Sequence, residues 1–314
     1  MRLIDVIRGP SRPTQVELRH RRRRAGALAV AAGVALLLGM IVGASSGGDG
    51  TAGTDAQATT VGWYGHLRTL AGAGRASLDF EQRAEESAAI DRALQLTPFV
   101  RMAGRQHPLV ALTFDDGPGP FTDRLIDELQ RLHVPATFFV VGYQLPEYAQ
   151  QLQREVDLGL TVGDHTADHR NLAQLGRRDQ RAQILDNAVE LRSYGVPYPR
   201  LFRPPYGSYD QTTHALLGGQ RMLSVLWSVD SEDYTQPGTD AIVRNVVDAV
   251  QPGSIVLMHD GGGDRAQTLA AVPRIVGQLR REGYRLVSVP RLLLENPPPQ
   301  DQELPNGFNP TGAG

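Results

Sequence analysis

The segment LVALTFDDGPGP, residues 109–120, decides how the rest of the chain is read. Leu109 to Phe114 is an apolar run of strand length, and two carboxylates, Asp115 and Asp116, follow it at once. Gly117 and Pro118 then end the strand. Adjacent carboxylates at a strand end repel each other unless a cation or an Arg offsets them. A solvated turn has the same composition, so the meaning of the pair depends on what the other strands carry.

Apolar runs of strand length recur at 136–141, 160–163, 222–227, 254–258 and 284–289. Segments of helical period lie between them, near 121–132, 146–158, 177–194, 210–218, 239–250 and 266–282. Strict alternation of strand and helix indicates parallel strands joined by crossover helices. The expected class is α/β: an irregular (β/α) barrel of about seven parallel strands, with its chemistry on the loops after the strands.

Four further polar clusters stand where that fold would place chemistry. Asp164-His165-Thr166-Ala167-Asp168-His169 follows the run at 160–163. Histidines four apart share one face of a helical turn, so both imidazoles can reach one metal, although an isolated pair of this spacing is more often surface decoration. Phe202-Arg203-Pro204-Pro205-Tyr206-Gly207 is stiffened by two prolines, and the first free amide after them is that of Tyr206. A rigid loop offering one amide and one guanidinium suits an oxyanion and a carboxylate; a Pro-rich turn with a surface Arg is the plain alternative. Asp230-Ser231-Glu232-Asp233-Tyr234 follows 222–227, and His259-Asp260 ends the run at 254–258 before the flexible glycines 261–263. A His at that position is placed as a general acid or base.

TFDDGPGP, the HTxxH of DHTADH, RPPY, DSEDY and the LxH of LMHD occur in the order found in the polysaccharide deacetylase family, the NodB-homology group or carbohydrate esterase family four. The chain resembles that family over Leu109 to Val289, and five motifs in order are far more specific than any one. The resemblance implies a metal ion held by Asp116, His165 and His169, Zn²⁺ first and Co²⁺ as the alternative. It implies that Asp115 is the general base acting on water at that metal, oriented by Arg203, and that Thr166 braces the loop of the two histidines. The Tyr206 amide would complete the oxyanion hole, Asp233 would orient the general acid His259, and Tyr206, Tyr234 and Leu257 would line the pocket for the acetylated sugar. The family usually has Trp where this chain has Tyr234, which leaves acyl preference open. Two His and one carboxylate also occur in non-haem iron sites, but a separate base, acid and oxyanion donor favour hydrolysis. The implied activity is removal of N-acetyl groups from N-acetylglucosamine in a polysaccharide outside the cell, peptidoglycan or chitin-type oligomers. An O-acetyl esterase and an inactive wall-binding module are the alternatives.

Composition narrows the field further. The 314 residues include no Cys and no Lys, which excludes a disulfide scaffold, thiolate chemistry, Schiff bases and a phosphate-loop lysine. Residues 1–24 carry eight Arg against Asp5 and Glu17, a net of +6, while the remaining 290 carry 24 Arg against 32 carboxylates, a net of −8. An acidic body argues against a nucleic-acid partner. Ala25 to Ala44 is a 20-residue uncharged apolar run behind an Arg block, so a signal anchor crossing the membrane once is expected, with the enzyme outside; secretion after cleavage near residue 44 is the alternative. The expected organisation is a basic cytoplasmic segment at 1–24, the transmembrane anchor at 25–44, a flexible linker at 45–62 and a helical stalk segment at 63–106. The deacetylase domain would follow at 107–290 and a Pro-rich disordered tail at 291–314.

Overall fold

A computed structural model describes residues 73–302. They belong to one compact unit, Ala71–Gly314, and the other unit, Met1–Leu70, lies outside the described residues. Nine strands form a single parallel sheet: β1 (Phe99–Val100), β2 (Leu109–Asp115), β3 (Thr137–Val140), β4 (Thr161–Asp164), β5 (Leu201–Phe202), β6 (Leu223–Val225), β7 (Val229–Asp230), β8 (Ile255–His259) and β9 (Arg285–Val287). The helices are α1 (Ala73–Leu96), α2 (Thr122–Leu132), α3 (Leu145–Asp157), α4 (Arg177–Arg181), α5 (Asn187–Ser193), α6 (Gln211–Gly219), α7 (Thr239–Val247), α8 (Ala266–Arg281) and α9 (Val289–Glu295). The strand order is β1-β6-β5-β4-β3-β2-β8-β7, with β9 also paired to β2, so the sheet curls into a barrel open between β1 and β7.

The side-chain alternation of β2 explains how the barrel is filled. All seven of its residues are buried. Val110, Leu112 and Phe114 join the layer beneath the helices, with Ile126, Phe138, Met258 and Ile275. Leu109 and Ala111 face the other way, into a cluster with Phe139, Leu223, Val225 and Ile255. Successive strand residues alternate between faces, so Thr113 and Asp115 continue the Leu109–Ala111 row. Helix α2 shows the complementary logic: Thr122, Leu125, Ile126 and Leu129 form one buried stripe, and left-handed His133 closes the helix by donating its N–H to the Leu129 and Gln130 carbonyls. Truncating Ile126 to Ala there would cost about 2–5 kcal/mol.

The expected α/β barrel is therefore present, with three two-residue strands in addition to those read from the sequence. Two expectations need correction at its edges. The segment 63–106 is not helical throughout: α1 is followed by β1, whose Phe99 and Val100 pair with Ser224 and Val225 inside the sheet. The buried face of α1 is Ala89, Ile90 and Ala93, whereas Ala84 and Ala88 are exposed. The start of the expected disordered tail is ordered, because α9 buries Leu292 and Leu293 and the Gln302 side chain accepts from the Arg101 amide at 3.0 Å. The remainder, 303–314, lies outside the described residues. The expected cell-membrane localisation is also corrected: no helix among the described residues is long and apolar enough to cross a membrane. The segments 1–24, 25–44 and 45–62 that carried that expectation lie outside the described residues.

Candidate active site

Strand register brings the five motifs to one rim of the barrel. Asp115 at the end of β2 stands beside His259 at the end of β8, Asp164 of β4 beside Phe202 of β5, and Asp230 of β7 beside Leu257. Every motif residue lies at or just beyond the C-terminal end of its strand, where a (β/α) barrel presents its reactive groups.

The chain turns at Asp116 itself, whose φ of 69° is left-handed. The turn rotates the second carboxylate out of strand alternation and toward β4. There Asp116 Oδ1 lies 3.4 Å from His165 Nε2 and 3.1 Å from His169 Nε2. One ligand atom from each of the three residues falls within 4.8 Å of the others. The His165 Nδ1 donates to the Arg203 carbonyl at 2.7 Å, and a carbonyl can only accept. In a neutral ring this leaves Nε2 as a lone pair facing the carboxylate. Asp116 Oδ1 is buried and has no hydrogen-bond donor. Acceptors converging on one another need a positive charge between them, and a divalent cation supplies it, so the donor set fits a metal with borderline ligands such as zinc. Burial opposes charge on Asp116, but the adjacent His165 and His169 outweigh it and hold its pKa far below the usual carboxylate range. Burial likewise disfavours the His165 imidazolium, yet the negative charges of Asp115 and Asp116 raise its pKa.

Backbone and side chains beyond the ligands hold this loop in place. Thr166, left-handed at φ 72°, accepts from the His169 amide through Oγ1 at 3.1 Å. A π-helical turn at Ala182–Asp186, between α4 and α5, lets Gln183 accept from the amides of both Ala167 and Asp168. The fully buried Asp164 accepts from the Thr166 amide and the Asn187 side chain, each at 2.8 Å; burial still pushes its pKa up to about 7.

Asp115 and Arg203 form the second pair. Arg203 is fully buried and spends its donors on Asp115 Oδ1 (2.7 Å), Thr113 Oγ1 (2.7 Å) and the carbonyls of Val225 and Leu226. Its guanidinium also stacks 4.2 Å over the Phe139 ring. Asp115 Oδ2 is 3.8 Å from His165 Nε2, at the edge of the ligand cluster without replacing Asp116 in it. The third pair is His259 and Asp233. Asp233 accepts from His259 Nδ1 at 2.7 Å, from the His259 amide at 2.9 Å and from Thr268 Oγ1 at 2.7 Å. Burial lowers the His259 pKa, but the hydrogen bond and charge of Asp233, with Asp115 and Asp116 beyond, raise it overall. Conversely, His259 and Thr268 depress the Asp233 pKa against its burial.

Asp115, Asp116, His165, His169 and His259 line one cavity of about 590 Å³. Tyr206 has a φ of 59°, and its ring meets His169 edge-on at 4.7 Å; Tyr234 meets His259 in the same way at 5.5 Å. Leu257 lines the same cavity. Thus all eleven residues singled out from the sequence converge on one site. The cavity adds Tyr143, Trp227 and Arg265, which the sequence reading missed. Tyr143 stands just beyond β3, the position that marked the other clusters, and would have been found by the same rule.

An α/β barrel with paired carboxylates, two histidines and a separate His–Asp pair at its C-terminal rim carries the groups that a hydrolase uses. Comparisons make the class specific. The polysaccharide deacetylase family model matches residues 103–220. A chitooligosaccharide deacetylase of Sinorhizobium fredii is 38% identical over 204 residues, 61% of this chain and 95% of the relative. A crystal structure of a peptidoglycan N-acetylglucosamine deacetylase superposes with a TM-score of 0.61 at 32% identity, covering 63% of this chain and 94% of that one. A family-four pseudoenzyme from Bacillus anthracis also superposes, with a TM-score of 0.59 at 26% identity over 62% of this chain and 68% of its own. The chain belongs to the polysaccharide deacetylase family, the NodB-homology group of carbohydrate esterase family four. Its activity is that of a polysaccharide N-deacetylase.

Proposed function

We propose that the protein is a metal-dependent N-deacetylase acting on N-acetylglucosamine residues of peptidoglycan or of chitin-type oligomers. The observation that carries this reading is the convergence of Asp116, His165 and His169 around a buried carboxylate oxygen with no donor, in the cavity that His259 also lines. Similarity to a pseudoenzyme shows that the fold alone does not carry activity, so the argument rests on these side chains.

Asp116, His165 and His169 would hold the ion, which supplies Lewis acidity toward the acetyl carbonyl and makes water nucleophilic at neutral pH. Asp115, fixed by Arg203, takes the proton from the attacking water. The Tyr206 amide, on a loop stiffened by two prolines, donates to the acetyl oxygen as negative charge develops there. His259 Nδ1 is committed to Asp233, so its Nε2 carries the proton that the departing sugar nitrogen needs. The raised His259 pKa favours that protonated form. An amine leaves poorly without a proton, and this acid favours amide over ester hydrolysis.

Acetate and free amine should be measured after incubation with purified peptidoglycan, with N-acetylglucosamine oligomers and with acetylated xylan, each with and without a chelator. The reading predicts amine from the first two substrates and its loss on chelation. Release from acetylated xylan alone would make the protein an O-acetyl esterase, and no release from any substrate would make it a binding module.

A further inference from the structure

The glycines after His259 are not a loose linker. Gly261 donates its amide to the Asp115 carbonyl at 3.3 Å, as does Asp260 at 3.1 Å. A Cβ on Gly261 would stand 2.1 Å from the Asp116 carbonyl oxygen, and one on Gly262 would stand 2.6 Å from Asp116 Oδ2. Gly262 moreover has a φ of +70°. Only glycine allows the backbone to lie this close against the carboxylate.

Arg265 pins that backbone from behind. Its Nε donates to the Gly261 carbonyl at 2.7 Å and its Nη2 to the Gly262 carbonyl at 3.2 Å. The residue is only 5% exposed, lines the catalytic cavity and has no carboxylate within ion-pair distance among the described residues. A buried guanidinium without a paired acid is expensive unless its hydrogen bonds serve a purpose. A second pin sits beside it: Thr122 Oγ1 donates to the buried Asp260 Oδ2 and accepts from the Gly119 amide, tying the 115–119 turn to the same segment.

We propose that Arg265 is a positioning residue for Asp116: by fixing the carbonyls of Gly261 and Gly262, it sets the backbone wall that aims this carboxylate at His165 and His169. The inference rests on reading Asp116 as a metal ligand. Groups that orient metal ligands from outside typically change affinity by about 10–100-fold when removed.

Zinc affinity of the metal-stripped protein, measured by competition with a chromophoric chelator, reads this directly, with thermal melting alongside. Arg265→Ala should weaken zinc binding by about 10–100-fold, and Arg265→Lys should recover part of it. Gly262→Ala, which leaves Arg265 in place, should lose affinity over the same range and keeps the test open if Arg265→Ala does not fold. Asp264→Ala is the control: Asp264 accepts from the Ala266 amide at the start of α8 at 2.8 Å, so its loss should lower the melting temperature while leaving zinc affinity unchanged. Wild-type affinity in both Arg265→Ala and Gly262→Ala would overturn the positioning role alone. So would affinity losses that track melting temperature across all variants, Asp264→Ala included. Absence of zinc binding by the wild type would instead overturn the metal reading, and this inference with it.

Discussion

Replacing Asp233 by Asn removes the full charge hydrogen-bonded to His259 and leaves Asp116, His165 and His169 untouched. Three carboxylates raise the His259 pKa, and a bound cation would offset two of them, Asp115 and Asp116. Asp233 is the remaining one, bonded to Nδ1 at 2.7 Å and fully buried. Opposite charges centred about 4 Å apart interact by about 4 kcal/mol at an effective dielectric of 20, which is a ceiling on the effect. The ring keeps 12% of its side chain open to the cavity, and an Asn dipole remains, so the pKa falls by less than that ceiling. The sign follows from the role. An acid must be protonated to act, so lowering its pKa moves the alkaline limb of kcat against pH to lower pH by the same amount. The assay is amine release from an N-acetylglucosamine oligomer across pH, repeated with an activated acetyl ester whose leaving group needs no proton. The ester profile should keep its alkaline limb. An unmoved limb on the amide, or an equal shift on both substrates, would refute the assignment of His259 as acid.

Asp115→Asn should retain its metal and lose about 10²–10⁴ in kcat, whereas Asp116→Asn should lose metal and recover part of its rate in excess zinc; metal content of the two purified variants decides. Arg203→Met leaves Asp115 as an uncompensated buried charge and should cost about 3–5 kcal/mol in urea unfolding. Glu155 of α3 is fully buried with neither carboxylate oxygen hydrogen-bonded, and its pKa is pushed up mainly by burial. The folded state therefore binds a proton that the unfolded state releases, so stability falls as pH rises above the normal carboxylate range, and Glu155→Gln should flatten that slope in melts between pH 5 and pH 8. Tyr234→Trp restores the family's usual ring on the acetyl pocket and should raise the preference for acetyl over propionyl substrates without changing zinc affinity, as competition kinetics would show.

What the sequence made legible follows from periodicity and from strand ends. The long elements carry enough apolar residues to declare their period, so β2, β8 and helices such as α8 match their expected positions closely. Leu201–Phe202 and Val229–Asp230 are two residues each; no period exists at that length, and they are strands because neighbouring strands offer free ladder groups. Gly117 and Pro118 were expected to end the strand, but the turn that separates Asp116 from Asp115 begins at Asp116, an Asp that accepts a left-handed backbone. The motif residues were readable because their chemistry is written in their own side chains. Arg265 was not, because it acts through the carbonyls of two glycines, and backbone carbonyls leave no mark on composition. Glu155 was hidden for a related reason: a carboxylate at one helical position looks solvated until packing shows which face is covered.

The central claim is tested most directly by titrating zinc into chelator-stripped protein while following acetate release from an N-acetylglucosamine oligomer. The account predicts negligible rate without metal, recovery in proportion to added zinc, and saturation at one ion per chain. Full activity in the metal-free protein, or no activity at any zinc concentration in a protein that binds the ion, would contradict it.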